Sequence, residues 1–299
     1  MLQFIRKGIN LTSCAGVGIS VGSVLLLLGG YWFYHLIKRR RDIQLKAKYF
    51  ERNGGLILKQ QMSSADSNFE SIRIFTSDEL ERAADGYNQD RILGEGGQGI
   101  VYKGMLSDGK IIPIKKSKIA DESQLIVFIN EVVVLSHINH RNVVKLLGCC
   151  LETQVPLLVY EFLPNGTLSQ HTHDPNDDFP ITWEMRLQIA TDISYALAYL
   201  HSSSWIPVFH REIKSSNILL DKNYRAKLSD FGISKSGAID RTQITTHVMG
   251  TFSYVDPEYF QLNQFTDKSY VHSFGVVLVE LISGQKAIRS TEDEERVHL

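Results

Sequence analysis

The chain has 299 residues, of which 43% are hydrophobic and 22% charged, as is ordinary for a globular protein. Its formal net charge of -1 argues against nucleic acid or an acidic polymer as a partner. Three cysteines, Cys14, Cys149 and Cys150, have neither metal-ligand spacing nor the pattern of a disulfide framework. We expect Cys149 and Cys150 to be buried, reduced thiols, which suits a cytosolic compartment.

An apolar segment near the N-terminus predicts a membrane-spanning helix. Residues 8–37 contain no Lys, Arg, Asp or Glu, and about 20 apolar residues suffice to cross a bilayer. A cleaved signal peptide is the alternative, although its apolar region is only about 7 to 15 residues long. The basic run at 38–41 predicts that the following part lies in the cytosol. We therefore expect a short segment at 1–12, a helix at 13–37 in the plasma membrane with the lipid bilayer as its partner, and a juxtamembrane linker at 38–75.

The rest of the chain divides into a strand-rich part and a helix-rich part. Ser77 is expected to cap a short helix that ends at Gly86. Short apolar runs around glycines from residue 92 onward predict strands, interrupted by one helix around 122–136. After the turn at 164–166, amphipathic patterns predict long helices over 182–202 and 265–284. This order indicates an α+β protein in two lobes, 76–162 and 163–299.

Three features of the first lobe are typical of a phosphate site. Gly94, Gly96 and Gly99, in "GEGGQG", would let backbone N–H groups approach phosphates, although hairpin turns are glycine-rich too. A dinucleotide-binding arrangement is excluded because a second strand follows where a helix is needed. Lys115, in a strand, could pair with phosphates, whereas its neighbour Lys116 is expected at the surface. Glu131, in the predicted helix, could hold Lys115 in place.

The second lobe carries oxygen ligands in a distinctive order. "HREIKSSN" spans residues 210–217 and is followed by "DFG" at 230–232 and "DPE" at 256–258. Asn217 and Asp230 would supply the oxygen ligands that Mg²⁺ on ATP prefers, and Lys214 could neutralise a transferred phosphate. Together these fragments indicate phosphoryl transfer from Mg·ATP.

From about Phe75 onward the sequence resembles a eukaryotic protein kinase, and more closely the plant wall-associated receptor-like kinases. The resemblance rests on "ILGEGGQGIVYKG", "FINEVVVLSHINHRNVVKLLGCCLET", "PLLVYEFLPNGTL" and "DPEYF". It implies a two-lobed protein-kinase-like fold and transfer from ATP, with Mg, to Ser or Thr of a protein substrate. A partner receptor kinase is also implied.

The resemblance also assigns roles to single residues. Tyr160 would be the gatekeeper, His210 and Phe231 would belong to the hydrophobic spine, and Glu212 would occupy the position that takes the proton of the substrate hydroxyl. The nucleotide would contact Leu93, Gly94, Gly96, Gly99, Val101, Lys115, Glu131, Glu161 and Leu163. The activation segment would include Thr242, Thr245, Thr246, Thr251 and Glu258, and the first three of these would be candidate phosphorylation sites near Arg211.

Four departures from the family pattern predict impaired transfer. Glu212 replaces an aspartate, and the extra methylene displaces the carboxylate by more than about 1 Å, which can cost roughly 10²-fold in rate. Tyr270 replaces an aspartate that accepts hydrogen bonds from the catalytic loop, and Pro113 replaces a small residue over the adenine. The chain stops at Leu299, before several helices of the family's domain, which would uncover one side of the 265–284 helix.

Two alternatives remain beside an impaired kinase. One is a pseudokinase that docks on receptor kinases without catalysis, and the other is a degraded gene product that folds poorly. "HTHD" at 171–174 could ligate a metal, but its polar surroundings favour a solvated loop.

Overall fold

The computed structural model describes residues 2–56, 58, 72–97, 99–117, 122–173, 181–202, 207–236, 244–245 and 249–287. The first element, α1 (Leu2–Arg52), is a single helix that runs through the predicted span and beyond it. Its side chains are described from residue 26 onward, and those at 26–34 are exposed, with Leu26, Trp32 and Phe33 among them. In the part of the chain that the structure describes, no helix combines the length and apolar character needed to cross a membrane.

Hydrogen bonds and an ion pair connect the C-terminal end of α1 to the strand-rich lobe. Lys46 Nζ lies 2.6 Å from Asp78 Oδ1. Asn53, which is 2% exposed, donates from Nδ2 to the carbonyl oxygens of Leu151 and Thr153, each at 2.9 Å. Leu58 then joins the hydrophobic core. Since buried amide groups are costly to leave without partners, these bonds hold the segment after α1 against the lobe.

One six-stranded sheet forms the first lobe. Its strands lie in the order β1–β5–β6–β4–β3–β2, with β1 parallel to β5 and the other neighbours antiparallel. The strands are β1 (Arg73–Ile74), β2 (Ile92–Gly96), β3 (Gly99–Met105), β4 (Ile111–Lys116), β5 (Leu146–Cys150) and β6 (Leu157–Tyr160).

Two helices accompany this sheet, α2 (Ser77–Ala83) and α3 (Glu122–Ser136). The predicted capping role of Ser77 is wrong, because Thr76 accepts the hydrogen bond from Glu79 N at 3.2 Å. The hydroxyl and backbone N–H of Ser77 instead donate to Glu152. The prediction failed because this partner lies 75 residues away in sequence.

Helices dominate the second lobe. In chain order its elements are α4 (Leu168–His173), α5 (Trp183–Ser202), β7 (Val208–Phe209), β8 (Ile218–Leu220), β9 (Ala226–Leu228), β10 (Lys235–Ser236), β11 (Ile244–Thr245), α6 (Pro257–Leu262), β12 (Gln264–Phe265) and α7 (Asp267–Ser283). The strand pairs β8–β9, β7–β10 and β11–β12 are antiparallel. A strand-rich lobe followed by a helical lobe is the architecture that the sequence predicts.

The core of the second lobe is built around α5. Ile189, Ile193 and Leu200 are fully buried on one side of this helix and share a cluster with Leu228 and Val277. Because β8 and β9 pack on this core, the loops before β8 and after β9 have a rigid support. Those loops carry the predicted catalytic and metal-binding residues.

Cys149 and Cys150 are both buried, as predicted. Burial raises the pKa of Cys149 to about 12 and that of Cys150 to about 11, so both remain protonated thiols at neutral pH. The outer side of α7 presents exposed Val271, Val279 and Ile282.

Candidate active site

Three charged residues from different elements meet between the lobes. Lys115 comes from β4, Glu131 from α3 and Asp230 from the loop after β9. Lys115 Nζ lies 3.0 Å from Glu131 Oε2 and 2.8 Å from Asp230 Oδ1. The structure thus brings together residues that are 16 and 115 positions apart in the chain.

Burial and the neighbouring charges shift the pKa values of these three residues in opposite directions. Burial lowers the pKa of Lys115, but the two carboxylates outweigh it, and the pKa lies well above its usual value. Burial raises the pKa of Glu131, and Lys115 only partly offsets this. Burial also raises the pKa of Asp230, but there Lys115 prevails and the pKa lies below its usual value. The ionised form of Asp230 is therefore favoured, whereas the pKa of Glu131 lies above its usual value.

Glu131 has two further partners. Tyr160 donates its hydroxyl to Glu131 Oε1 at 2.7 Å, and the backbone N–H of Phe231 donates to the same oxygen at 3.3 Å. Glu131 is only 1% exposed. The carboxylate therefore links β4, β6 and the loop that contains Asp230.

The loop between β7 and β8 holds a second polar cluster. Lys214 Nζ lies 2.6 Å from Glu212 Oε1 and 3.0 Å from Thr251 Oγ1, and Thr251 donates to Glu212 Oε1 at 3.2 Å. Asn217 is buried and donates from Nδ2 to the backbone carbonyl of Glu212 at 3.0 Å. This bond uses the nitrogen of the amide and leaves its oxygen for another partner.

His210 fixes the start of the same loop. The N–H of Glu212 donates to His210 Nδ1 at 3.2 Å, so the other ring nitrogen, Nε2, donates to Ser229 O at 2.9 Å. Burial lowers the pKa of His210, which favours this neutral form. Its ring stands edge-on to Phe231, with the ring centroids 4.6 Å apart. The two predicted spine residues are thus in contact.

Tyr270 lies in an aromatic cluster beside the loop between β7 and β8. Its ring stacks on Phe209 with centroids 5.6 Å apart and meets Phe265 edge-on at 5.0 Å. Arg211 lies over the Phe265 ring and donates to the hydroxyl of Tyr259 at 2.8 Å. We call Phe209, Tyr259, Phe265 and Tyr270 the aromatic cluster. At position 270, where the family pattern has an aspartate, the side chain therefore makes aromatic packing contacts.

The glycine-rich turn joins β2 and β3. A Cβ atom built on Gly94 or Gly96 would meet no described atom within 4 Å, whereas one on Gly99 would lie 2.3 Å from Lys116 O. Gly99 is therefore needed by the fold, while Gly94 and Gly96 leave open space beside their backbones. Leu93 is 40% exposed, and Val101 lies directly opposite Lys115 in the sheet.

Glu161 and Leu163, two of the expected nucleotide contacts, lie where the first lobe passes into the second. Glu161 Oε1 lies 2.7 Å from Lys227 Nζ and accepts a hydrogen bond from Lys145 N at 2.8 Å. Leu163 packs against the main core. Pro113, in β4, lies opposite Lys103 in the sheet.

The predicted activation segment is described in part. Thr242 and Thr246 lie outside the described residues, and Thr245 pairs with Gln264 in the β11–β12 ladder. Glu258 is in the first turn of α6, where its N–H donates to Asp256. Among the described members of this group, Thr251 contacts Glu212.

The predicted solvated loop at 171–174 is wrong for its histidines, because both belong to α4 and pack against neighbours. His171 Nε2 is 2.7 Å from Asn165 O, while His173 Nε2 is 3.4 Å from Glu280 Oε1. Asp174 lies outside the described residues. Within the described ranges, no group of three or more His, Cys, Asp or Glu side chains could hold a metal ion.

A groove of about 830 Å³ lies apart from these clusters, between α6 and α7. Phe252, Phe260 and Val279 are among its lining residues, with His272 and Lys286 at its polar positions. Its described lining residues lack the convergent charged groups of the Lys115 cluster.

Comparison with known proteins matches residues 87–299 to the protein kinase domain. The chain is 56% identical over 280 residues to wall-associated receptor kinase-like 1 of Arabidopsis thaliana. The aligned region covers 94% of this chain and 38% of that protein. It is 57% identical over 282 residues to wall-associated receptor kinase-like 10, and 53% identical over 272 residues to wall-associated receptor kinase 2, both of the same plant. These matches cover 93% and 91% of this chain and 37% of each relative. The chain thus spans less than two fifths of the length of these relatives. The match over most of its length shows that the chain belongs to the protein kinase family, and its likeness to wall-associated receptor kinases confirms the resemblance predicted from its sequence.

Proposed function

We propose that this chain binds Mg·ATP between its lobes and is, by descent, a receptor-like protein kinase that phosphorylates Ser or Thr of proteins. The observation that carries the proposal is Lys115, held at 3.0 Å and 2.8 Å by carboxylates from α3 and from the loop after β9. A buried ammonium fixed in this way is suited to pair with the α- and β-phosphates of a nucleotide. The open space beside Gly94 and Gly96 supports the phosphate side of the site.

The residues present fit a magnesium nucleotide. The ionised form of Asp230 is favoured, and the amide of Asn217 is oriented by its bond to Glu212 O. These two residues would hold Mg²⁺, which prefers oxygen ligands and would neutralise charge on the transferred phosphoryl group. In the proposed transfer, a substrate hydroxyl oxygen bonds to the γ-phosphorus as the bond to the β–γ bridging oxygen breaks. Glu212 takes the hydroxyl proton, and ADP leaves.

We propose that Glu212 makes this transfer slow. Its Oε1 atom is already engaged by Lys214 at 2.6 Å and by Thr251 at 3.2 Å. The longer side chain places the carboxylate differently from the aspartate typical of the family, and misplacement by about 1 Å can cost roughly 10²-fold in rate. The aromatic packing of Tyr270 adds a second departure beside the same loop.

Single-turnover phosphate transfer tests the proposal. The full chain in detergent would receive Mg·[γ-³²P]ATP and a generic basic protein, and Glu212→Asp, Lys115→Ala and Lys116→Ala would be compared with it. We expect slow or no labelling by the chain itself and a gain of roughly 10²-fold in Glu212→Asp. The adjacent lysine variant Lys116→Ala is the matched control and should behave like the parent. Rapid labelling by the parent, lost in Lys115→Ala, would show that Glu212 is a working base.

A non-catalytic role is the second candidate, and the Glu212 and Tyr270 departures favour it. In that case the chain is a pseudokinase that docks on a receptor kinase. A thermal shift on adding Mg·ATP, with no transfer even by Glu212→Asp, would support this role. Labelling by Glu212→Asp would count against it.

We further propose that residues 13–37 anchor the chain in the plasma membrane, with the kinase-like lobes of 76–162 and 163–299 in the cytosol. Exposed apolar side chains at Leu26, Trp32 and Phe33 support this, as does the basic run at 38–41. Residues 38–75 would then be the juxtamembrane segment. Alkaline extraction of membranes, followed by protease protection, tests the anchor and its orientation. Release of the chain by alkali without detergent would contradict it.

A further inference from the structure

Asn130 lies immediately before Glu131 on α3 and reaches the same loop. Its Nδ2 atom lies 2.6 Å from Ser234 O, 3.0 Å from Gly232 O and 3.3 Å from Phe231 O. We propose that Asn130 is a positioning residue that holds the 230–234 loop so that Asp230 stays on the phosphate side of the cleft. The inference deepens the proposed function, because it concerns how the proposed Mg²⁺ ligand is presented.

The loop needs such support because its backbone is strained. Asp230 has a φ of 67°, in the left-handed region, which is sterically unfavourable for residues other than glycine and which aspartate adopts only as a single residue. Strain of this kind persists only where the surroundings over-determine the conformation. The carbonyls that Asn130 contacts belong to Phe231, Gly232 and Ser234, within the turn that follows Asp230.

Asn130 and Glu131 bind complementary groups of this loop. Glu131 accepts from the N–H of Phe231, whereas Asn130 donates to the carbonyls of Phe231, Gly232 and Ser234. Adjacent residues of one helix therefore hold both kinds of backbone polar group. A displacement of α3 would break the Lys115–Glu131 pair and the loop contacts together.

The chemistry of the side chain matters as much as its position. An asparagine amide has two N–H donors, while an aspartate of the same size has oxygen acceptors only. Asn130→Asp would place a carboxylate among three carbonyl oxygens and replace attraction with repulsion. We expect the loop to be released and Mg·ATP to bind at least about tenfold more weakly, because the loop carbonyls lose their hydrogen-bond donor.

Asn53→Asp is a matched control for this change. Asn53 also donates to backbone carbonyls of the strand-rich lobe, but those of Leu151 and Thr153, far from the loop in sequence. The control therefore carries the same chemical substitution and the same loss of amide donors. A general loss of stability should affect both variants alike.

The experiment compares the full chain, Asn130→Asp, Asn130→Ala and Asn53→Asp in detergent. Hydrogen–deuterium exchange is measured for the peptide containing 229–236, and dissociation constants are measured for Mg·ATP and for adenosine without metal. We expect faster exchange in both Asn130 variants and weaker Mg·ATP binding, with adenosine affinity unchanged. Asn53→Asp should alter neither quantity. If Asn130→Asp does not fold, Asn130→Ala still removes the donor without adding repulsion.

The two readouts separate this inference from the proposed function. Unchanged exchange at 229–236 in the Asn130 variants would overturn the positioning role, and so would an equal loss of adenosine and Mg·ATP binding. If the parent chain bound no Mg·ATP, the proposed function would fail, while the exchange measurement would still decide the role of Asn130.

Discussion

Replacing Lys115 with methionine should destabilise the fold by about 3 kcal/mol at neutral pH. Methionine keeps much of the apolar stem of lysine and removes the ammonium. Glu131 and Asp230 would then face each other without the cation that now lies 3.0 Å and 2.8 Å from them. Both carboxylates are largely buried, so solvent would screen the repulsion poorly.

The geometry sets the size of the effect. The two carboxylate oxygens bound to Lys115 can be no more than about 6 Å apart, where two like charges repel by about 3 kcal/mol at an effective dielectric constant of 20. Breaking a buried ion pair by removing one partner typically costs about 3 to 5 kcal/mol. Glu131 limits the cost because burial already raises its pKa and it can take up a proton.

The penalty should therefore depend on pH. A carboxyl group whose pKa is raised by folding contributes stability below its unfolded pKa and loses it as pH rises through the folded value. Removing Lys115 also removes an influence that lowers the pKa of Glu131. The difference between parent and Lys115→Met should accordingly shrink by about 1 kcal/mol or more between pH 7 and pH 5.

Urea unfolding followed by tryptophan fluorescence measures these differences. The double variant Lys115→Met/Glu131→Gln should be more stable than Lys115→Met alone, because the remaining carboxylate no longer faces a like charge. Lys116→Met is the matched control, because the ammonium of Lys116 lies over the face of the Tyr87 ring. This substitution should lower the free energy of unfolding by less than about 1 kcal/mol. A Lys115→Met penalty equal to that of the control, or a double variant less stable than the single one, would refute the reasoning.

Urea unfolding also checks three further substitutions. Tyr160→Phe should cost about 1 to 3 kcal/mol, because Glu131 loses its hydroxyl donor; a neutral result would mean that water replaces it. Tyr270→Asp should cost more than about 3 kcal/mol by placing a carboxylate in the aromatic cluster, and would contradict the packing argument if it stabilised the fold. Burial raises the pKa of Glu280, so the parent should lose stability relative to Glu280→Gln as pH rises from 5 to 8; parallel pH profiles would argue otherwise.

The elements that could be predicted from sequence are those with strong local signals. The helices predicted over 182–202 and 265–284 are α5 (Trp183–Ser202) and α7 (Asp267–Ser283). Gly284, with a φ of 69°, ends α7 because glycine adopts the left-handed conformation without steric cost. The contact between Lys115 and Glu131 could be predicted from the sequence because both residues belong to the first lobe and lie only 16 positions apart.

Contacts made by tertiary structure escaped prediction. Asn130 is absent from the site residues predicted from the sequence, because its partners lie more than 100 positions away. The position of Asn130 directly before Glu131 in the sequence is the signal that could have identified Asn130 as a candidate. Tyr270 looks only like a missing carboxylate, because the aromatic residues that surround it come from separate elements. Sequence patterns show what a residue could bind, and packing decides what it does bind.

A single unbroken helix from Leu2 to Arg52 connects the predicted span to the strand-rich lobe. From residue 37 to residue 52 the axis advances by about 22 Å, at 1.5 Å per residue. Asn53, directly after this helix, donates to two carbonyls of the lobe. If residues 13–37 span a membrane as proposed, the angle of that segment would fix how the first lobe is oriented relative to the bilayer, and rotation of the segment about its axis would rotate the lobe with it.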